Sequence, residues 1–345
     1  MASDASAIAK KYTTGGLPLK LAKVEEFWGI KHELARGRFS AIKRCLDNKT
    51  KKPYIAKIIK YTDDTDREDT LQEFDIHRSL KGERVVMLRD AFLMRRYLVL
   101  IMDLLEGQDL LSFVAAKPRP NEEDVAFAIR PLLDAVNYLH GQQIVHLDIR
   151  PANIFIAKSN LALKLIDYGS ARRIKNWKDG DMVAIVCYTA FTAPELLDFA
   201  PVNGAADMWS IGILVYSLLS GLLPFNVECK EDEDEDEKLG QEITKGKWYF
   251  DPKAFSRSTS EVKDFITAML SFDPKKRPSA EEAKQNQWLS GDNLQKRRSS
   301  DITASKLKDL SQQLAKKDKE DVTTCSCVLR TYEEDPYDSP DSDEE

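Results

Sequence analysis

His146-Leu147-Asp148-Ile149-Arg150-Pro151-Ala152-Asn153 holds a carboxylate and a carboxamide five positions apart, and Asp167-Tyr168-Gly169 begins fourteen positions after Asn153. Transfer of a phosphoryl group needs a carboxylate beside the attacking hydroxyl and hard oxygen ligands for Mg²⁺. Asp148 suits the first task, and Asn153 and Asp167 suit the second. Ala193-Pro194-Glu195 follows in order. A lone His-x-Asp with a distant Asn is weak evidence, because polar loops are common. Three such elements in this order and spacing are strong evidence.

Groups of this kind need rigid elements on either side. Asn121 to His140 reads as a helix with Asn121 as its N-cap and Asp124 at the third following place. Ile154-Phe155-Ile156, just past the loop, reads as a short apolar strand. Upstream, Pro53-Tyr54-Ile55-Ala56-Lys57-Ile58-Ile59 alternates as a strand does and carries one central lysine, a residue that in a strand ordinarily faces solvent. Leu71, Phe74, Ile76 and Leu80 give the next segment a buried helical face, on which His77 reads as a surface residue. Tyr97 to Met102 is a buried strand running into a linker, Asp103 to Gly107. Strands are expected to begin near Phe27. Glu33 to Ile42 reads as strand, tight turn, strand, either an ordinary hairpin or a phosphate loop. Met208 to Leu223 is the most apolar stretch, but it is bounded by Asp207 and Pro224 and holds three serines. It is too short and too polar for a membrane span and reads as a buried helix.

With 345 residues, 42% hydrophobic and 31% charged, the chain suits one two-lobed catalytic domain or two ordinary domains of a soluble protein. Met1 to Lys20 lacks the apolar core of a signal sequence. Residues 1–24 read as a flexible lead-in, with Thr13-Thr14-Gly15-Gly16 as a breaker. Cys45, Cys187, Cys229, Cys325 and Cys327 form no metal-binding spacing, and so sparse and odd a set suggests reduced thiols and a cytoplasmic protein. The acids are segregated. Glu231 to Glu237 and the eight acids of Glu333 to Glu345 account for fifteen charges, and without them the formal net charge of −6 becomes +9. Both runs are expected to be solvated, the first as a loop that either draws basic peptides or has no role. The basic surplus is spread along the chain and the end is acidic, so no nucleic-acid partner is expected.

Taken together, the motifs resemble the catalytic loop, metal motif and Ala-Pro-Glu segment of eukaryotic protein kinases, over roughly residues 27–290. Leu147 before the aspartate, Gly37-Arg38-Phe39-Ser40 and Ala206-Asp207-Met208-Trp209-Ser210-Ile211-Gly212 are similar to the branch of the myosin light-chain, titin, death-associated and Trio/obscurin kinases. The resemblance implies an α+β fold of two lobes with nucleotide between them. A small antiparallel sheet with one main helix would fill about 25–104, and a helical lobe about 105–290. It implies Asp148 and Arg150 at the reaction, Lys57 on the α- and β-phosphates, Glu73 as its partner, and Mg²⁺ on Asn153 and Asp167. ATP would contact Leu34, Gly37, Ile42, Ala56, Met102 at the gatekeeper place, Leu105 near the hinge, Asp109 at the ribose and Phe155 as a bulky floor. Pocket walls and plain core look alike in sequence, and both readings stand for these positions. The resemblance also makes Asp207 a brace of the catalytic loop and pairs Glu195 with Arg277.

Several positions depart from the family pattern. Ala35 stands where the first loop glycine is usual, Arg150 replaces a lysine, Ala152 a glutamate and Tyr168 a phenylalanine. An arginine keeps the charge, but its planar fork does not place that charge as a compact ammonium does. Cys187 to Thr192 has lost the glycine, proline and glutamate of the wall that seats the substrate hydroxyl. Two functions follow: a nucleotide-binding pseudokinase or very weak kinase acting as scaffold or regulatory module, and an active Ser/Thr kinase held back by its tail. The tail, 291–332, is expected to hold a helix at about 301–318 with Ile302, Leu307, Leu310 and Leu314 on one stripe. It has no Trp or Phe anchor, so regulation by packing is expected and calmodulin is not. Val328-Leu329 is expected as a short docked strand, and 333–345 as a disordered end. The implied partners are ATP, protein substrates or partners and the chain's own tail, with no membrane. The implied place is the cytoplasm, within the sarcomere or cytoskeleton as for the giant relatives.

Overall fold

The computed structural model describes residues 2–13, 16–36, 40–183, 189–227, 234–290 and 304–323. The chain forms two compact units, one of Met1–Phe74, Leu88–Leu104 and the chain from Gln312, the other of Asp75–Met87 and Leu105–Ser311.

The first unit holds helix α1 (Ala2–Lys11), strands β1 (Trp28–Arg36), β2 (Ser40–Asp47) and β3 (Pro53–Lys60), the larger part of helix α2 (Asp64–Ser79), and strands β4 (Leu88–Leu93) and β5 (Tyr97–Asp103). The five strands form one antiparallel sheet in the order β1-β2-β3-β5-β4. Asp47 closes the turn between β2 and β3 by accepting the N–H groups of Lys49 at 2.7 Å and Thr50 at 3.0 Å. Val24, Trp28, Cys45, Ala56, Ile58, Phe92, Val99 and Ile101 form the core on one face. Burial pushes the Cys45 thiol up to about 12, which makes it a packing residue with no thiolate chemistry. Strand alternation turns Lys57 to the face opposite Ala56 and Ile58.

The expected lead-in carries more structure than its composition suggested. Beyond α1, Lys20 forms a parallel bridge with the edge strand β4. Its N–H donates to Ala91 O at 3.0 Å, and its carbonyl accepts Leu93 N–H at 2.8 Å. Its ammonium lies 2.7 Å from Asp90 Oδ2, which also accepts Trp28 Nε1–H at 3.1 Å. An open sheet edge offers unpaired backbone groups, and this segment satisfies some of them.

The second unit begins with β6 (Gly107–Asp109), α3 (Leu110–Ala115), α4 (Glu122–His140), β7 (Ile144–Val145), β8 (Ile154–Ala157), β9 (Leu163–Leu165) and β10 (Arg172–Arg173). Helices α5 (Pro194–Leu197), α6 (Ala205–Ser220), α7 (Glu235–Thr244), α8 (Ser260–Met269), α9 (Ala280–Lys284), α10 (Gln287–Ser290) and α11 (Ala304–Thr323) follow, the last passing to the first unit at Gln312. α4 starts with the expected capping box: Asn121 accepts the N–H groups of Glu123 and Asp124, and Asp124 accepts that of Asn121. β6, β8 and β9 form a small sheet, and β7 pairs with β10. α6 is buried on every side. No described helix is long and apolar enough to cross a membrane. The acid run is partly helical: Asp234 caps α7, and Glu235, Asp236 and Glu237 fill its first turn, where the helix dipole favours negative charge.

Two buried carboxylates fix the loops around α6. Glu195 receives a two-pronged contact from Arg277, Nη1 to Oε1 at 2.7 Å and Nη2 to Oε2 at 2.9 Å, and the guanidinium lies over the Trp209 ring. Asp207 accepts the N–H groups of His146 at 2.9 Å and Leu147 at 2.8 Å, and His140 Nε2 lies 2.8 Å from its Oδ2. Leu147 has φ of +62°, a conformation costing an L-residue roughly 1–2 kcal/mol, and its hydrogen bond to Asp207 holds it there. Leu307 and Leu310 of α11 are buried, as is Leu314 beyond the boundary, which bears out the tail stripe. Ile302 lies outside the described residues. Gly221 closes α6 at φ of +70°, and a Cβ there would meet Lys306 Cβ at 2.6 Å, so the first turns of α11 lie directly against this corner.

Removing one partner of a buried ion pair strands the other charge. Glu195→Gln is therefore expected to lose about 3 kcal/mol of unfolding free energy in denaturant titration. Full burial alone would raise the Asp207 carboxyl, but the hydrogen bond and charge of His140 and the contacts from His146 hold it below the ordinary 3.8. Its contribution to stability is whole above that value and drains away as pH falls through the folded pKa. Burial holds His146 neutral below the ordinary 6.5, so stability falls on acidification in that higher window too. Asp207→Asn is expected to flatten the stability–pH curve below about pH 4 while the fall that sets in below pH 6.5 remains.

Candidate active site

In the first unit, β3 and α2 bring the predicted lysine and glutamate together. Lys57 Nζ lies 2.7 Å from Glu73 Oε1, with side-chain exposures of 7% and 6%. Lys57 is opposite Ile42 on β2 and Leu100 on β5, so the strand that carries it is paired on both sides. Of the expected adenine contacts in this unit, Ala56 and Met102 are buried, Ile42 is half-buried, and Leu34 is 48% exposed. Gly37 lies outside the described residues. Ala35 pairs with Ile42 next to a register shift between Glu33 and Ala35, and it is not among the residues with positive φ, so its Cβ meets no left-handed strain. Arg36 donates to both oxygens of Glu33, Nε at 2.8 Å and Nη2 at 2.5 Å. Arg89 grips Asp103 in the same way at 2.6 and 2.7 Å, fixing the strand end where the linker begins.

In the second unit, the predicted Asp148, Asn153 and Asp167 share one hydrogen-bonded frame. Asn153 Nδ2 donates to Asp148 Oδ2 at 2.5 Å and to Asp148 O at 2.9 Å, which leaves its carboxamide oxygen for a cation. Ile166 N–H donates to Asn153 O at 3.0 Å and sets Asp167 beside it. Asp167 has φ of +65°, and its Oδ1 accepts Gly169 N–H at 3.0 Å. Asp148 N–H donates to the neutral His146 ring at Nδ1, 3.3 Å away. Arg150 Nε stands 3.5 Å from Asp148 Oδ1 as an ion pair. Among the described residues no group of three or more His, Cys, Asp or Glu could hold a metal. Mg²⁺ asks for less, one or two protein oxygens completed by phosphate and water, and the Asn153 and Asp167 donors fit it.

Tyr168 explains why the metal-motif position tolerates a hydroxyl. It is fully buried and donates to Leu165 O at 3.1 Å. Burial raises its own pKa well above the ordinary value, so it stays neutral. Its ring lies between His77, 4.9 Å away, and His146, 5.6 Å away. His77 is therefore no surface residue. It is 2% exposed and its Nε2 lies 2.8 Å from Val86 O, a partner nine positions distant that helix periodicity does not reveal. Leu105 is half-buried. Asp109 caps α3 by accepting Ser112 N–H at 2.9 Å. Phe155 is half-buried beside Gly107, where an added Cβ would meet its ring at 2.8 Å and Ile156 O at 2.0 Å.

Sequence reasoning missed two supports. His140, at the end of α4, reaches Asp207 and packs edge-on against Trp177 at 5.3 Å. Asp181 accepts the N–H groups of Lys175 at 2.6 Å and Asn176 at 3.2 Å and exchanges two backbone hydrogen bonds with Val202. Neither carries a local signal, though an Asp a few positions after Asn-x-x-Asp hints at a self-bonded loop. Cys187 and Tyr188 lie outside the described residues. Thr189–Phe191 form a short 3-10 turn, and Ser210 Oγ donates to Phe191 O at 2.8 Å.

Residues 28–289 match the model of the protein kinase domain. The chain is 36% identical over 282 residues to death-associated protein kinase 2 of Homo sapiens, covering 79% of this chain and 74% of that protein. It is 33% identical over 306 residues to striated muscle preferentially expressed protein kinase of Danio rerio, covering 88% of this chain but only 10% of that protein. Among solved structures, the twitchin kinase region of C. elegans superposes with a TM-score of 0.78 at 29% identity, covering 90% of this chain and 54% of that one. The autoinhibited serine kinase domain of the giant muscle protein titin superposes with a TM-score of 0.74 at 30% identity, covering 86% and 90%. With the two carboxylates, the carboxamide and the lysine–glutamate pair in place, the chain belongs to the protein kinase family, in the branch of the death-associated, titin and twitchin kinases.

Proposed function

We propose that this chain binds ATP with Mg²⁺ and serves chiefly as a scaffold or regulatory module, with phosphate transfer to peptides weak or lost. The observation that carries the nucleotide reading is the buried contact of Lys57 with Glu73 at 2.7 Å. A lysine held in this way would present a fixed positive charge to phosphate oxygens. Asn153 and Asp167 would hold Mg²⁺, which supplies charge neutralisation along the phosphates. Asp148 would accept the hydroxyl proton of an acceptor.

The weakness of transfer is read from the same loop and from the sequence after it. Arg150 stands beside Asp148 at 3.5 Å, drawing on the carboxylate that has to orient the acceptor. Its fork cannot follow a phosphate as an ammonium does. The wall for the acceptor has lost glycine, proline and glutamate between Cys187 and Thr192. Misplacing a hydroxyl by about 1 Å costs roughly a hundredfold in rate. The tail acts by packing on this reading, with Leu307 and Leu310 of α11 buried. Likeness to striated muscle and titin kinases supports a place in the cytoplasm of muscle, at the sarcomere or cytoskeleton.

A second reading keeps the enzyme: an active Ser/Thr kinase held back by its tail. It is favoured by the hydrogen bonds that order Asp148, Asn153 and Asp167 in one frame. Phosphate incorporation into a panel of basic serine peptides, measured for the wild type and Asp148→Asn, each with Leu307 and Leu310 also replaced by Asp to loosen the tail, decides between them. The first reading expects incorporation at background for both proteins. Saturable wild-type turnover that Asp148→Asn lowers by about a hundredfold or more would instead establish the second.

A further inference from the structure

The N-terminal segment touches the first unit at two separate places, and one of them adjoins the phosphate-binding pair. Tyr12 is 6% exposed, and its ring lies edge-on to Phe74, centroids 5.3 Å apart and planes at 73°. Phe74 is fully buried and follows Glu73 directly in α2. The second place is the sheet edge, where Leu19 is buried and Lys20 is held on β4 by two backbone hydrogen bonds and by Asp90. We propose that the N-terminal segment, anchored on α2 by Tyr12 and on β4 by Leu19 and Lys20, acts as a strap that holds Glu73 on Lys57, with Tyr12 as its positioning residue.

α2 needs such help. Its sequence, Asp-Thr-Asp-Arg-Glu-Asp-Thr-Leu-Gln-Glu-Phe-Asp-Ile-His-Arg-Ser, is rich in aspartate and threonine, which are weak helix formers. A helix of this kind owes its order to packing more than to its own propensity. The Lys57–Glu73 pair cannot supply that order alone, because taking both charges out of water offsets much of their attraction. Apolar cover at Phe74 carries no such penalty, and it acts one position from Glu73. Lys20 makes the other end firm: its ammonium sits over the Phe27 ring at 4.5 Å as well as against Asp90. Tyr12 meets α2 through the Phe74 ring, so an effect on binding would pass through that helix.

The proposal rests on the ATP-binding reading for its consequence, but not for its structural content. The test uses the full chain with Tyr12→Ala and Tyr12→Phe. Amide hydrogen exchange over 64–79 reads the order of α2, with α6 as internal reference. Calorimetry with ATP and with adenosine reads the grip on phosphate. Tyr12→Ala is expected to speed exchange in α2 by about tenfold with α6 unchanged. It is also expected to weaken ATP by at least about threefold while adenosine stays within about twofold. Tyr12→Phe keeps the ring and should match the wild type in both. Unchanged exchange in α2, or an equal rise in α2 and α6, would overturn the strap, as would an unaltered ATP-to-adenosine ratio in a chain that binds ATP. A wild type that binds no ATP would sink the nucleotide reading alone, and exchange in α2 would still decide the strap. Should Tyr12→Ala fail to fold, Leu19→Ala loosens the other anchor and is judged by the same readings.

Discussion

Lys57 and Glu73 meet in a place where water barely reaches, and that burial is difficult to justify by stability alone. Desolvation costs several kcal/mol per ion, and the mutual attraction repays it only with good geometry. Two apolar residues of like size would serve the core equally well. A fold keeps such a pair when one of the charges has further work, and a lysine held still at a sheet centre suits an anionic ligand. The first unit is arranged to keep it still: β3 is paired on both flanks, α2 supplies the glutamate, and Arg89 with Asp103 ties down the strand that follows.

The second unit depends on a different buried charge. Asp207 sits on α6, a helix with no exposed face, and turns its oxygens to the backbone of His146 and Leu147. The leucine is thereby held in a left-handed conformation, and Asp148 and Asn153 follow from that turn. Glu195 and Arg277 do the same for the segment ahead of α6. Much of the ordering is done by Asp207, Glu195 and Arg277, which lie outside the set of predicted site residues.

Much of this was legible in the sequence because it is written in local order. The spacing of Asp148, Asn153 and Asp167, the single lysine in an alternating strand, the capping box at Asn121 and the leucine stripe of the tail each occupy one short stretch. What escaped was fixed by distant partners. The burial of His77 comes from Val86 and the Tyr168 ring, and Asp109 is engaged with the start of α3. Lys20 of the lead-in is held by the sheet edge, a fact visible only once β4 is known to be an edge strand. Leu34 reads as a pocket wall by position, yet nearly half of it is exposed.

The central question for this fold is whether Lys57 is kept for phosphate. Calorimetry of ATP and adenosine with the wild type and Lys57→Met in the full chain tests this most directly. The substitution is expected to weaken ATP by about tenfold and to leave adenosine within about twofold. Equal ATP affinity for the two proteins would show that the buried lysine serves the fold alone.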